Sequence, residues 1–358
     1  MKTAVVICPG RGTYTKSELG VLSRQHIDKA ALFARFDAIR TVAGQETLAA
    51  LDGAWRYSVA THTRGDNASA LIYAASYADF LSLQGVDVVA VTGNSMGWYT
   101  ALACGGALTV EDGFRLANSM GALMQKALIG GQLVYPVTGN DWQSDPELRA
   151  DVMAWMSDID ARADHVLALS IDLGGMLVLA GNDAGLKAFE TRAPQIGRFP
   201  MRLANHAAFH TEMQAPVAKA GRETLVDLSM GQPRSPLIDG RGKIWWPGAT
   251  DTAELYDYTL GHQVTKPYDF KRAVTVAARE FAPDLFIVTG PGTTLGSSVA
   301  QSLISANWRQ MAGKTDFEAH QSKSPVLLSM GREDQRGFVT KKKDHRHETF
   351  RNTPIRRL

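Results

Sequence analysis

Five consecutive residues, Gly93-Asn94-Ser95-Met96-Gly97, carry the pattern G-x-S-x-G. Glycines on either side of a serine let the chain turn sharply and leave room around the hydroxyl. The run before it, Val86 to Thr92, is apolar and valine-rich and reads as a short strand; the run after it, Trp98 to Cys104, reads as a helix. A serine at such a turn stands at a helix N-terminus, where main-chain N–H groups can stabilise an oxyanion. The chemistry this serves is attack on a carbonyl carbon, which needs a base to take the serine proton. Nine histidines are candidates: His26, His62, His165, His206, His210, His262, His320, His345 and His347. Spacing alone selects none of them, although His345 and His347 lie in a basic tail, the poorest setting for a base. The two cysteines, Cys8 and Cys104, occur without a C-x-x-C, so neither a disulfide framework nor a zinc site is indicated, and no metal is expected.

The elements that must position the serine follow an alternating order. Residues 2–8 read as a buried strand ended by the tight loop Pro9-Gly10-Arg11-Gly12. Helical stretches fall within 20–50 and 69–84, and Gly85 ends the second. Thr109 followed by Asp112 predicts a capped helix through about Ala127, ended by Gly130-Gly131. Residues 132–204 change rhythm: strand-like 132–137, helical 145–161, strand-like 165–171 and 176–180 separated by Gly174-Gly175, helical 184–192, strand-like 199–203. That order, β-α-β-β-α-β, is a ferredoxin-like unit read as an insertion. The larger pattern resumes with a helix from His210 to about Leu228, a buried strand at 284–288, the turn Gly290-Pro291-Gly292 and a further helix. Strands alternating with helices predict an α/β fold, a mostly parallel sheet covered on both faces. The expected division is 1–130 and 205–315 as a large α/β subdomain, 131–204 as the inserted small subdomain, and 316–358 as a C-terminal extension.

Composition narrows the class. The chain of 358 residues is 45% hydrophobic and 21% charged, ordinary for a soluble globular protein and too apolar to be disordered as a whole. Net charge is +2, but Lys341 to Leu358 hold seven Lys/Arg against two Asp/Glu, leaving −3 for residues 1–340. The basic end carries no aromatic interleaving or binding motif, so no nucleic-acid partner is expected. No long apolar run predicts a membrane span, and the N-terminal apolar run is too short for a signal peptide; a cytoplasmic setting is expected.

Several separated segments together resemble the malonyl-CoA:acyl-carrier-protein transacylases and the acyltransferase domains of fatty-acid and polyketide synthesis. Pro9-Gly10-Arg11-Gly12 resembles the family's P-G-Q-G loop, and Gly93 to Gly97 its G-H-S-x-G. Met120-Gly121-Ala122-Leu123-Met124-Gln125 resembles R-G-x-x-M-Q, and Ala208-Phe209-His210-Thr211 resembles the segment with the catalytic histidine. Gln263-Val264-Thr265-Lys266-Pro267 resembles Q-x-x-x-P, and Gly290-Pro291-Gly292 with Leu295 resembles G-P-G-x-x-L. The resemblance runs over roughly residues 3–300 and implies an α/β-hydrolase-like parallel-sheet core with the inserted ferredoxin-like unit. It implies Ser95 as nucleophile and His210 as base, with His206 the rival. It also implies the main-chain N–H groups of Arg11 and Met96 as oxyanion hole, and the Gln263 carbonyl as the group orienting His210. The implied reaction is ping-pong transfer of an acyl group from coenzyme A to a carrier protein's phosphopantetheine thiol. Coenzyme A thioester enters as substrate, no cofactor is tightly bound, and a monomer is expected.

Three departures bear on the acyl group. The family's arginine, which grips a malonyl carboxylate bidentately, is replaced by Met120, which offers neither charge nor donor. Either the acyl group lacks a carboxylate, or another cation such as Arg11 or Arg115 supplies the contact. Asn94 stands where the family has histidine, and Ser170 and Asp172 stand near its usual asparagines; an acid near the pocket would disfavour a dicarboxylic acyl group. Asn94, Met120 and Phe209 are the expected pocket residues, with Phe209 limiting branches beside the thioester. Two rival readings remain. One is a serine hydrolase, whose triad acid would be Asp160 or Asp172. The other is a carrier-protein docking scaffold without catalysis. The basic tail reads first as a solubilising end, with a contribution to docking an acidic carrier protein as the alternative.

Overall fold

The computed structural model describes residues 1–340. In chain order the strands are β1 (Lys2–Cys8), β2 (Val86–Gly93), β3 (Gly131–Pro136), β4 (Leu167–Asp172), β5 (Met176–Gly181), β6 (Met201–Arg202), β7 (Leu237–Ile238), β8 (Ile244–Trp245), β9 (Tyr268–Asp269), β10 (Leu285–Val288) and β11 (Leu327–Ser329). They form two sheets. The larger has the order β11-β10-β1-β2-β7-β8, parallel except for the β7–β8 pair. Its centre is the run Ala4 to Cys8, buried on both faces, which is what a parallel sheet covered by helices demands. Helix Gly65–Leu81 is buried almost all round against this sheet.

Register decides what the sheet can present. Cys8 pairs with Gly93, and Ile7 pairs with Val288 on the other side. Three loops therefore leave the same carboxyl edge side by side: residues 9–13, the serine turn, and the Gly290 turn. That edge is where parallel α/β sheets place ligands.

The smaller sheet has the order β6-β3-β5-β4-β9. Within it β3, β4, β5 and β6 pair antiparallel and take the β-α-β-β-α-β order with helices Pro146–Asp160 and Asp183–Arg192. These elements enclose a separate apolar core around Leu133, Trp155, Leu179 and Phe189. β9, from outside this stretch, adds in parallel to β4.

Two expectations about the frame are corrected. The helix expected from His210 starts later, as one 3-10 turn at Glu212–Gln214 and then Ala215–Thr224. Pro216 suits only a helix's first turn, which fixes that start and leaves His210 in the preceding loop. Residues 316–340 are no mere extension: β11 is the edge strand of the large sheet, and helix Glu333–Thr340 buries Val339 against it. The basic tail Lys341 to Leu358, with His345 and His347 and both readings of its role, lies outside the described residues. Among the described residues no helix is long and apolar enough to cross a membrane.

Candidate active site

The serine turn is forced by contacts. A Cβ on Gly93 would lie 2.3 Å from the Gly97 carbonyl carbon, and one on Gly97 would lie 2.1 Å from the Cys8 carbonyl oxygen. Only glycine permits both approaches, so the turn can close over the end of β1. Ser95 itself has φ of 55°, a left-handed conformation that serine tolerates only where its surroundings hold it. The surroundings are Gln263 and Tyr268. Gln263 Nε2 donates to the Ser95 carbonyl at 3.1 Å, and the Tyr268 hydroxyl donates to the Gly93 carbonyl at 2.5 Å.

His210 also has positive φ, 59°, and is 3% exposed. Its Nε2 lies 2.7 Å from Ser95 Oγ, and its Nδ1 lies 2.7 Å from the Gln263 carbonyl oxygen. A carbonyl only accepts, so Nδ1 carries the ring proton and Nε2 is left to accept from the serine. The Gln263 carbonyl is available for a sequence-level reason. In an α-helix it would take the N–H four residues on, but that residue is Pro267, which has none. Lys266 adopts the extended conformation favoured before proline (φ −125°, ψ 155°), and the short helix Gln263–Thr265 ends there. Burial pushes His210 down to about 4, against the opposing hydrogen bond to Gln263, so the imidazole is neutral at neutral pH and able to take a proton.

The facing loop completes the edge. A Cβ on Gly10 would lie 2.5 Å from the Asn94 carbonyl oxygen, so this loop and the serine turn touch through backbone. Met96 is the N-cap of helix Gly97–Cys104, whose first N–H groups, of Gly97, Trp98 and Tyr99, are taken by the Asn94, Ser95 and Met96 carbonyls. The Arg11 side chain folds back: Nη2 donates to the Thr63 and Asn205 carbonyls at 2.7 and 2.8 Å, and the guanidinium stands 5.3 Å over the Phe209 ring. Nε is buried without a partner. Burial pushes this guanidinium down to about 10, opposed by the more distant Asp66.

Ser95, His210, Arg11, Met96, Phe209 and Gln263 surround one cavity. It is narrow, about 20 Å³ on the measure by which one water needs about 10–15 Å³. Other expected residues lie elsewhere. Asn94 is buried behind the turn and is not in the cavity wall; its Oδ1 has no partner. Met120 is fully buried outside the wall, packed so close to Gly221 that a Cβ there would meet its Sδ at 2.7 Å; Gly121 and Met124 take the wall positions on that helix. Arg115 faces away and pairs with Asp227 at 2.7 Å. Asp172 pairs with Arg149 at 2.6 Å, away from the cavity, and Asp160 caps the Leu167 N–H at 2.9 Å, so neither acid meets His210. Ser170 lies behind the wall, donating to the Phe209 carbonyl at 2.8 Å. His206 bonds Gln132 Oε1 at 2.8 Å rather than Ser95; burial and then the charge of Arg11 push its pKa well below the usual range.

The residue pattern did not reveal Tyr99, Tyr268, Ser69 or Val264. Tyr99 had a usable signal: it is four residues after Ser95, one helical turn on, and its hydroxyl donates to Gln263 Oε1 at 3.0 Å. Tyr268, beside Pro267, had none, because its role depends on β9 crossing to the small sheet. Among the described residues no three or more His, Cys, Asp or Glu side chains are grouped to hold a metal ion.

Sheet, turn and dyad together define an α/β protein with a serine poised against a neutral histidine. No protein-family model matches the sequence. The chain is 26% identical over 314 residues to a phenolphthiocerol-synthesis type I polyketide synthase of Mycobacterium marinum, covering 85% of this chain and 14% of that protein's length. It is 26% identical over 238 residues to a malonyl CoA-acyl carrier protein transacylase of Mycobacterium tuberculosis, covering 66% of this chain and 72% of that one. Its fold superposes on the crystal structure of an acyl-carrier-protein S-malonyltransferase from Burkholderia pseudomallei with a TM-score of 0.71 at 21% identity, covering 94% and 98% of the two chains. It also superposes on an acyltransferase domain of the salinomycin polyketide synthase, with a TM-score of 0.69 at 21% identity over 94% and 70% of the two chains. The chain is thus similar in sequence to a malonyl CoA-acyl carrier protein transacylase and to part of a type I polyketide synthase, and it shares the fold of an acyl-carrier-protein S-malonyltransferase and of a polyketide synthase acyltransferase domain.

Proposed function

We propose that this chain is an acyltransferase that moves an acyl group from coenzyme A to the phosphopantetheine thiol of an acyl carrier protein through an acyl-serine. The observation that carries the proposal is the hydrogen-bonded chain from Ser95 Oγ to His210 Nε2 and from His210 Nδ1 to the Gln263 carbonyl. In the first half-reaction His210 Nε2 takes the Ser95 proton as Oγ bonds to the thioester carbon. The carbonyl oxygen becomes an oxyanion facing the N–H groups of Arg11 and Met96. The C–S bond then breaks, and the departing sulfur takes the proton from His210. The second half-reaction runs the same steps in reverse with the carrier thiol, giving ping-pong kinetics. Residues 131–204 act in this reading as an inserted subdomain, and no metal or tightly bound cofactor takes part.

We propose further that the acyl group is small and without a carboxylate. Three observations support this: no arginine stands at position 120, the cavity is narrow, and Arg11 Nη2 is already held by two carbonyls. One observation favours the alternative, a carboxylated acyl group held by Arg11: this guanidinium lines the cavity with Nε unpartnered. Incubation with acetyl-CoA or malonyl-CoA, followed by intact-protein mass spectrometry, tests both levels. An acetyl adduct that disappears in Ser95→Ala and is chased to a carrier-protein thiol supports the proposal. Preferential malonyl loading on Ser95 overturns the small-acyl reading. Fast thioester turnover without a thiol acceptor overturns transfer in favour of hydrolysis, and absence of any adduct leaves only the scaffold reading.

A further inference from the structure

Asp79, a carboxylate 1% exposed in helix Gly65–Leu81, lies outside the wall of the serine–histidine cavity. Its Oδ2 accepts the Gly290 N–H at 2.8 Å. Its Oδ1 takes an ion pair from Arg336, in helix Glu333–Thr340, and lies 3.2 Å from His26 Nε2 without hydrogen-bond alignment. A buried carboxylate with a main-chain N–H on one oxygen and a guanidinium on the other is fixed in direction as well as position. What it fixes is the turn Gly290-Pro291-Gly292.

That turn lies against the loop of residues 9–13. A Cβ on Gly290 would come within 2.7 Å of Pro9 Cγ, and one on Gly292 within 2.2 Å of the Thr13 carbonyl oxygen. From the far side the turn is backed by Gly331, where a Cβ would lie 2.0 Å from the Gly292 carbonyl oxygen. The Arg11 N–H thus sits in a loop pressed between the serine turn, through Gly10 and Asn94, and the Gly290 turn.

We infer that the Asp79–Arg336 pair positions the oxyanion hole, holding the Gly290 turn against Pro9 and Thr13 so that the Arg11 N–H faces the developing oxyanion. The inference rests on the reading of that N–H as an oxyanion donor. Asp79 and Arg336 touch neither substrate nor the reacting atoms; they are positioning residues acting through Gly290 and Pro9. A hole donor displaced by a fraction of an ångström loses much of its benefit, and complete removal of one donor costs about 10²–10³ in rate.

A fluorophosphonate tests this, because its reaction with Ser95 needs the oxyanion hole but no carrier protein or acyl-CoA. In Arg336→Gln the limiting rate of Ser95 modification should fall about tenfold, with the reagent's half-saturation concentration unchanged within about twofold. Arg336→Lys should recover most of that rate, and Asp79→Asn, which keeps an acceptor for Gly290, should fall between. A lowered melting temperature with an unchanged limiting rate in Arg336→Gln would show a purely structural pair and overturn the inference. So would a rise in half-saturation with the rate preserved. Failure of the unaltered protein to label at Ser95 would overturn the oxyanion reading itself, and the inference with it.

Discussion

The pH at which Ser95 becomes reactive follows from the burial of His210. Burial pushes the imidazole from 6.5 down to about 4, a preference for the neutral form worth about 3 kcal/mol. The base works when neutral, and it is neutral above its pKa. Modification of Ser95 should therefore stay flat from pH 8 down to about 5 and fall tenfold per pH unit only below about 4. At pH 5 a histidine at about 4 is about 90% neutral, whereas one at 6.5 would be about 3% neutral, a gap of about thirtyfold. The assay is the rate of Ser95 modification by an uncharged fluorophosphonate between pH 4.5 and 8.5, followed by mass spectrometry. An uncharged reagent keeps ionisations of coenzyme A out of the profile. A half-maximal rate between pH 6 and 7 would refute the argument, because it would mean that the Gln263 hydrogen bond, or water entering the cavity, cancels the burial.

The same burial makes stability depend on pH. His206 and His210 both bind protons less tightly folded than unfolded, so their contribution is fully present above about pH 6.5 and is lost as pH falls toward the folded values. Urea denaturation should show stability falling by up to about 2.7 kcal/mol per pH unit below about pH 6, with His206→Gln removing about half of that slope. Gln263→Ala keeps the main-chain carbonyl on His210 but removes the contacts to Ser95 and Tyr99; Ser95 modification should slow by about tenfold with an unchanged pH profile. A shifted profile would show that the side chain, not the carbonyl, sets the state of His210. Gly97→Ala drives a Cβ to 2.1 Å from the Cys8 carbonyl oxygen, and thermal melts should show a loss of at least about 3 kcal/mol or no folded protein.

Parts of the site specified by local sterics were legible in the sequence. The G-x-S-x-G glycines announce a turn because each would meet backbone if it carried a Cβ, and Thr109 announces a helix start because its hydroxyl accepts the Asp112 N–H at 3.1 Å. Parts that depend on which neighbour a helix face meets were not. On helix Val110–Ala127, Met120 turns to Gly221 while Gly121, about 100° round the helix, and Met124, one turn on, reach the cavity, a choice that only the packing of Ala215–Thr224 decides. Arg115 likewise finds Asp227 from a distant part of the chain. Asp79 carries no local signal at all, since its partners Gly290 and Arg336 are 211 and 257 residues away.

Arg11 is the place where sequence and packing bear on the choice of acyl group. It is the one full cation in the cavity wall, and no carboxylate is bonded to it among the described residues. Burying that charge is tolerated because two carbonyls and the Phe209 ring face the guanidinium. Two carbonyls from separate loops, at Thr63 and Asn205, make it a clamp across the rim, and a clamp should act alike on every acyl group. Arg11→Gln should therefore slow loading of Ser95 from acetyl-CoA and malonyl-CoA by the same factor, about tenfold or less. If Nε instead takes an acyl carboxylate, a charge-assisted bond worth about 1.5–3 kcal/mol is lost for malonyl alone, a further factor of about 10–150. Equal factors sustain the clamp and the small, uncharged acyl group. A malonyl-specific loss refutes them and moves the missing carboxylate grip from position 120 to position 11.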